Sequence, residues 1–279
     1  MKDLRFFGGL LRLENRMTVN YKMVLQYDGT RYNGWQKQGN TKNTIQGKLE
    51  EILSRYFLQE LELNGSGRTD AGVHAACQTA NFKVDYSKKN AEKDMVDMST
   101  PTAIMDELNG FLPEDIRILS LEMVDNRFHA RLNAVGKEYR YYISLDRKRD
   151  VFARRYMAAI EHPERLDIEK MKSASEKLIG EHDFQGFSDN KSKKSTVRRI
   201  DNVDFNICDM GNDGKCLEII FRGNGFLYHT VRLLVGTLLS IGLNESKADI
   251  IEAVFESRDR RKVPYMAPAE GLFLYKVEY

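Results

Sequence analysis

The sequence predicts an α+β fold with a largely antiparallel sheet, and three observations lead to that class. Strand-like and helix-like stretches are intermixed along the chain. Several of the strand candidates alternate apolar with polar residues instead of running uniformly apolar, as half-buried antiparallel strands do. A hydrophobic share of 42% over 279 residues is enough to bury a sizeable core, as one large domain or two modest ones.

Taken in order, the chain starts with MKDLRFFGGLLRLENRM, whose short apolar piece is broken by Arg12 and has no small-residue cleavage site, so a signal peptide is not expected. Met17 is a candidate start. YKMVLQY, residues 21 to 27, places Tyr21, Met23, Leu25 and Tyr27 at period two, and DGT then breaks the strand. From Thr44 to Phe57, Ile45, Leu49, Ile52, Leu53 and Tyr56 recur at helical spacing, with Asn43 and Thr44 as caps.

A short apolar piece at Leu61 and Leu63 leads into a glycine loop, and CQTANFKV leaves it with Ala80, Phe82 and Val84 on one face, so the loop joins two strands. TPTAIMDELNGFLP predicts a short helix capped by Thr100, with Pro101 in its first turn and Gly110 past its end. KEYRYYIS, VDFNIC and LEIIFRG read as further strands. Helices are expected over Asp167 to Ile179, Phe226 to Ile241 and Ser246 to Phe255, and no repeat recurs at fixed period. SDNKSKKSTVRR, residues 188 to 199, carries five basic side chains and one acidic, and reads as a mobile basic loop.

Composition removes several function classes. Basic residues number 43 and acidic residues 41, so a basic surface must come from clustering. Three cysteines, Cys77, Cys208 and Cys216, are too few and too scattered for a disulfide framework or a zinc site, and fit a reducing cytoplasm. The long apolar run FLYHTVRLLVGTLLSIG contains His229 and Arg232, and the arginine alone would cost about 2.5 to 3.5 kcal/mol in a bilayer. A buried amphipathic helix is the better reading.

GSGRTDAGVHA, residues 65 to 75, holds the first candidate site. Three glycines within eight residues let the backbone turn sharply around Arg68, Thr69 and Asp70. GSGRTD starts like a dinucleotide fingerprint, but Asp70 stands where the third glycine belongs and would repel a pyrophosphate; the G-K-[ST] ending of a P-loop is absent too. Asp70 and His74 are poor metal ligands here, because the glycines oppose a helix through both and no third ligand presents itself. Two readings of Arg68 and Asp70 stay open: a salt bridge that pins the turn, or a carboxylate nucleophile held ionised by the guanidinium two residues before it. No second carboxylate is marked for glycosidase-type chemistry.

NGFLYHTVRLLVG puts Leu227, Val231, Leu234, Leu238 and Ile241 on one stripe and Gly225, His229, Arg232 and Gly236 on the next. That is either a core helix with a polar edge, or a helix from which Arg232 reaches into a site as an ion-pair or phosphate partner. His229 reads as a structural hydrogen-bonder. KEYRYYIS sets Tyr139, Tyr141 and Ile143 on one strand face and Arg140 and Tyr142 on the other, fitting either cross-strand packing or stacking of unpaired nucleotides beside cations.

These segments together resemble the tRNA pseudouridine synthase A (TruA) family. The matching blocks are YDGTRYNGWQKQ (27 to 38), TIQGKLEEIL (44 to 53), GRTDAGVHA (67 to 75), LNGFLPEDI (108 to 116), FHARLNAVGKEYRYYI (128 to 143), GEHDFQGFS (180 to 188), GFLYHTVRLLVG (225 to 236) and APAEGLFLYKVEY (267 to 279). They come in the family's order, and GRTDAGVHA is the most specific. The resemblance implies isomerisation of uridine to pseudouridine at positions 38 to 40 of the tRNA anticodon stem-loop, without cofactor or metal, by a cytoplasmic homodimer with no membrane association.

It implies a mixed, mainly antiparallel central sheet flanked by helices, in two similar halves around a basic cleft. The division expected is an N-terminal extension over 1–18, a half carrying the catalytic loop over 19–130 and a C-terminal half over 131–279. By motif position, Asp70 matches the family's catalytic aspartate, Arg68 its neighbouring arginine, Tyr139 the tyrosine on the target base, and Arg232 a supporting arginine. The extension and the basic loop depart from the pattern; the extension adds nothing recognisable, and the loop leaves open another structured RNA, such as ribosomal RNA, as substrate. A catalytically silent RNA-binding protein is the alternative from another class; the intact Asp70 weighs against it, since a binder gains nothing from an anion facing phosphates.

Overall fold

The computed structural model describes residues 18–87, 100–147, 150–189, 195–209 and 214–279. The expected N-terminal extension, apart from Thr18, and residues 190–194 of the basic loop lie outside them. Among the described residues are nine strands, mostly antiparallel, and five α-helices, which is the α+β class expected. The chain divides into two compact units. One takes residues up to Tyr27, Gln36–Gly67 and Gln78–Asn133; the other takes Asp28–Trp35, Arg68–Cys77 and Ala134–Tyr279.

In the first unit, β1 (Thr18–Tyr27) pairs antiparallel with β4 (Ile116–Val124), and β2 (Asn64–Gly65) pairs antiparallel with β3 (His74–Asp85), whose residues from Gln78 onward belong here. Helix α1 (Ile45–Tyr56) starts where expected, because the Thr44 hydroxyl accepts the Gly47 N–H at 3.2 Å and satisfies an orphan donor of the first turn. Ile45, Leu49 and Leu53 bury one face of it. Tyr21, Phe57 and Phe82 cluster in this core, with Tyr21 stacked on Phe82 at 5.4 Å between centroids.

Helix α2 (Pro101–Phe111) is capped by Thr100, whose hydroxyl accepts the Ala103 N–H. Its end corrects the expectation, for Gly110 lies within the last turn and not beyond it. The glycine is exposed and the helix closes instead on Leu112, whose N–H reaches the Leu108 carbonyl. The side chain of Asn109 both donates to and accepts from the Ile118 backbone, which ties α2 to β4. Strand β4 was not anticipated. It exposes Leu119 and Met123 while burying Ile116, Ile118 and Leu121, which blurs the alternation. The glycine loop likewise leaves only the two-residue β2, since Leu61 and Leu63 are buried without joining a strand.

In the second unit the strand order is β9 (Leu272–Glu278), β5 (Gly136–Ser144), β8 (Lys215–Gly223), β7 (Val197–Asp209), β6 (Gly180–Asp183), all antiparallel. The first residues of β3 add a parallel pairing on β9, with His74 opposite Phe273. Tyr139, Tyr141 and Ile143 of β5 are buried, and Arg140 and Tyr142 take the opposite face, as the alternation requires. On that face Arg140 bonds Glu138 and Glu218, Tyr142 bonds Glu218, and Arg222 bonds Glu138 and Asp204. The cations beside these strand aromatics are therefore engaged in cross-strand pairs.

Three helix boundaries differ from expectation. Helix α3 (Ile168–Ser175) is capped by Asp167 and continues as a 3₁₀ turn over Glu176–Leu178. Helix α4 (Thr230–Gly242) starts four residues later than Phe226, because His229 takes the left-handed conformation at φ 66° and forms its N-cap position. Helix α5 is Ile250–Ser257, since the first residues from Ser246 form the turn before it. All of α4 is buried except Arg232, so it is a core helix on every side and not an amphipathic one. Gly236 is where its backbone meets another segment, for a Cβ there would stand 2.1 Å from the Tyr265 carbonyl oxygen. None of the described helices is long and apolar enough to cross a membrane.

Candidate active site

The loop that carries Asp70 is positioned by main chain. Segment 28–35 lies against it: the Trp35 N–H donates to the Thr69 carbonyl at 3.0 Å, and the Gly72 N–H to the Tyr32 carbonyl at 3.4 Å. Two glycines allow this approach. A Cβ on Gly29 would fall 1.9 Å from the Val73 carbonyl oxygen, and one on Gly34, at φ +90°, would fall 2.7 Å from that of Thr69. Of the three glycines in the loop sequence, Gly72 takes the left-handed region, at φ +78°.

His74, at the loop's exit, faces this segment. Its Nδ1 accepts the Gly29 N–H at 3.1 Å and its Nε2 lies 2.9 Å from the Arg155 carbonyl. An accepting Nδ1 leaves the proton on Nε2, so the ring is neutral and its 3.2 Å contact with Asp28 is not an ion pair. Burial pushes His74 below its ordinary value and outweighs the opposing pull of Asp28. Burial also acts to raise Asp28, but hydrogen bonds from Thr30 and the Tyr156 hydroxyl prevail and hold that carboxyl low.

Asp70 meets its cation from α4. Arg232 Nη1 lies 3.1 Å from Asp70 Oδ2, and Arg232 Nε donates to the Ala267 carbonyl at 2.8 Å, which fixes the guanidinium plane. The two side chains are 13% and 11% exposed. A charge pair so far from water persists only with good geometry and further hydrogen bonds, which Ala267 supplies. The guanidinium expected to hold the carboxylate was that of Arg68, two residues away. Arg68 is exposed and makes no ion pair among the described residues, so neither the turn-pinning salt bridge nor the local pairing is present. One of the two readings of the α4 stripe had Arg232 reach into a site as an ion-pair or phosphate partner, and an ion pair is the contact it makes.

Tyr139 sits on the buried face of β5, its ring edge-on to Phe226 at 5.2 Å. His229 does more than expected. Its Nδ1 lies 2.7 Å from Asp189 Oδ2, its Nε2 3.5 Å from Asp70 Oδ2, and its ring stacks on Tyr228 at 3.6 Å. Asp189, which the sequence did not mark, is in turn ion-paired with Arg260, Nε to Oδ1 at 3.0 Å. Burial acts to raise the Asp189 carboxyl, but His229 and Arg260 outweigh it and keep it below the usual value. The sequence signal for Asp189 was its being the lone acid in a basic stretch, and that stretch read as a loop.

What this fold and site define is an α+β protein built around one guarded carboxylate, with arginine and histidine from the start of a core helix closing on it. Comparison with known proteins names the family. Residues 23–132 and 174–279 match the profile described as tRNA pseudouridine synthase. The chain is 40% identical over 261 residues to tRNA pseudouridine synthase A 2 of Bacillus cereus, covering 93% of this chain and 99% of that one. It is 41% identical over 260 residues to tRNA pseudouridine synthase A of Bacillus sp. (strain KSM-64), at the same coverages. With tRNA pseudouridine synthase A of Listeria monocytogenes serotype 4b it shares 39% over 264 residues, or 94% and 99% of the two chains. The chain belongs to the tRNA pseudouridine synthase A (TruA) family, and it is an enzyme that isomerises uridine to pseudouridine.

Proposed function

We propose that this enzyme acts on uridines at positions 38 to 40 in the anticodon stem-loop of tRNA, with Asp70 as its nucleophile. The observation that carries the nucleophile is the Asp70–Arg232 pair: a carboxylate withdrawn from bulk water, engaged by a guanidinium through one oxygen, at the tip of a loop held by its own backbone. Support for the substrate comes from the names of relatives 39% to 41% identical along nearly the whole chain.

The chemistry asks for a single carboxylate. A lone pair of Asp70 forms a C–O bond either to the sugar C1′, with the C1′–N1 electrons leaving on the uracil, or to the base C6, with the C5–C6 pair moving toward the ring carbonyl and the C1′–N1 bond breaking in the following step with its electrons on N1. The base turns, C5 bonds to C1′, the aspartate departs, and the proton lost from C5 is balanced by the one gained at N1. Substrate and product are isomers, so no oxidant, reductant or cofactor enters the balance. The uridine must leave its stack to be reached, and Tyr139 supports the turned-out base. Arg68, exposed beside the nucleophile, meets a backbone phosphate. In keeping with the resemblance, the enzyme works in the cytoplasm as a homodimer.

The test is to incubate wild type and Asp70→Asn with an unmodified tRNA transcript and map pseudouridine by carbodiimide-blocked primer extension. Stops in the anticodon stem-loop with wild type alone support both substrate and nucleophile. Stops with Asp70→Asn remove the nucleophile, and wild-type stops only on ribosomal RNA remove the substrate.

A further inference from the structure

Both groups that reach Asp70 converge on the same oxygen. Arg232 Nη1 and His229 Nε2 stand 3.1 and 3.5 Å from Oδ2, while Oδ1 accepts no hydrogen bond from any described residue. The carboxylate is thereby made asymmetric, one oxygen engaged and the other open. The imidazole cannot swing away from this task, because Asp189 Oδ2 holds its Nδ1 at 2.7 Å and Tyr228 covers one ring face. Asp189 is itself fixed from the far side by Arg260.

A purely structural tie would not need this bond. The segments that carry Asp189 and His229 are already joined by the Asp189 N–H on the Tyr228 carbonyl at 3.3 Å and the Ser188 hydroxyl on the same oxygen at 3.1 Å. His229 also holds a left-handed backbone, which is strained for a non-glycine residue, and such strain is retained where the surroundings impose it. That backbone turns the imidazole toward Asp70 from the residue before α4, three positions ahead of Arg232.

We propose that His229 is a positioning residue for the isomerisation: as an imidazolium it donates Nδ1–H to Asp189, which fixes its ring, and directs Nε2–H beside Arg232 at Oδ2 of Asp70, so that Oδ1 is the oxygen presented to the uridine. This rests on Asp70 being the nucleophile. The charged and titratable groups around the imidazole are Asp70, Asp189, Arg232, Arg260 and Tyr228. Orienting an attacking oxygen acts on the chemical step and not on substrate affinity, and a displacement of about 1 Å costs on the order of 100-fold in rate.

The experiment measures single-turnover pseudouridine formation on a tRNA transcript with enzyme in excess, beside transcript Kd by filter binding and the thermal midpoint. The variants are His229→Asn, His229→Gln, Asp189→Asn and Asp70→Asn. Asparagine keeps a polar atom near the Nδ1 position and loses the reach to Asp70; glutamine places its amide near the Nε2 position. His229→Asn is expected to slow turnover about 10- to 100-fold with Kd within about twofold of wild type. His229→Gln recovers part of that loss, and Asp189→Asn slows turnover with the imidazole still in place. A His229→Asn enzyme turning over at the wild-type rate overturns the proposal, as do equal losses in both His229 variants that follow a fall in thermal midpoint. Should both fail to fold, Asp189→Asn decides: a slowed chemical step supports the relay, and a wild-type rate overturns it. Turnover by Asp70→Asn instead sinks the nucleophile reading beneath it.

Discussion

Arg232 holds Asp70 across 162 positions of sequence, Nη1 to Oδ2 at 3.1 Å, while its Nε is spent on the Ala267 carbonyl. The guanidinium fork does two jobs at once. Lysine, a single point donor, cannot do both. Arg232→Lys is expected to lose about 100-fold in turnover with modest loss of stability. Arg232→Met leaves the carboxylate without its guanidinium in a site little exposed to water and costs up to about 3 to 5 kcal/mol by analogy with broken buried pairs. Chemical denaturation of Arg232→Met and of Arg232→Met with Asp70→Asn tests this, since the second change should restore part of the loss.

The approach of segment 28–35 to the Asp70 loop gives a prediction from backbone alone. Gly29→Ala puts a methyl group where the Val73 carbonyl oxygen already sits, so both the loop and turnover should suffer severely. Gly39→Ala is the control, because nothing stands within 4 Å of its Cβ position. Comparable losses in the two variants would show that the loop does not depend on this packing.

His74 makes stability depend on pH. Its folded value lies below the ordinary 6.5, so between the two values the unfolded chain binds more protons than the folded one. The contribution is full above about 6.5 and is lost as pH falls toward the folded value, with a slope of up to about 1.4 kcal/mol per pH unit. His74→Asn keeps an acceptor for the Gly29 N–H and cannot titrate. Its unfolding free energy should be lower than wild type at pH 7.5 and should fall less between pH 7.5 and 5.

Tyr139 is buried on β5 against Phe226. Tyr139→Phe preserves that packing and removes only the hydroxyl. Transcript binding is expected to stay within a few-fold while turnover falls by 10-fold or more, on the order of one good hydrogen bond made in the transition state. Unchanged turnover would take the hydroxyl out of the mechanism.

Much of this was legible in the residues. Thr44 and Thr100 cap the helices they were expected to cap, because an N-cap is a local arrangement of four residues. The split of β5 into a buried Tyr139 face and an Arg140 face followed from period two. What stayed hidden depends on distance along the chain. Asp70 has a cation two residues away, yet its partner comes from α4, and no periodicity reports that exchange. The start of α4 was masked by apolar residues running unbroken through Phe226 and Leu227, where only the left-handed backbone of His229 marks the boundary. Asp189 looked like one acid in a basic tract, and its meaning appears only when His229 stands beside it.

The two glycines that let segment 28–35 press on the loop have a consequence for how this protein can vary. The loop is held there through peptide groups, the Trp35 N–H on the Thr69 carbonyl and the Gly72 N–H on the Tyr32 carbonyl, and it can lie that close only while Gly29 and Gly34 carry no Cβ. Neither glycine holds a functional group. A saturation screen scored on RNA modification should therefore show two intolerant positions whose contribution is empty volume.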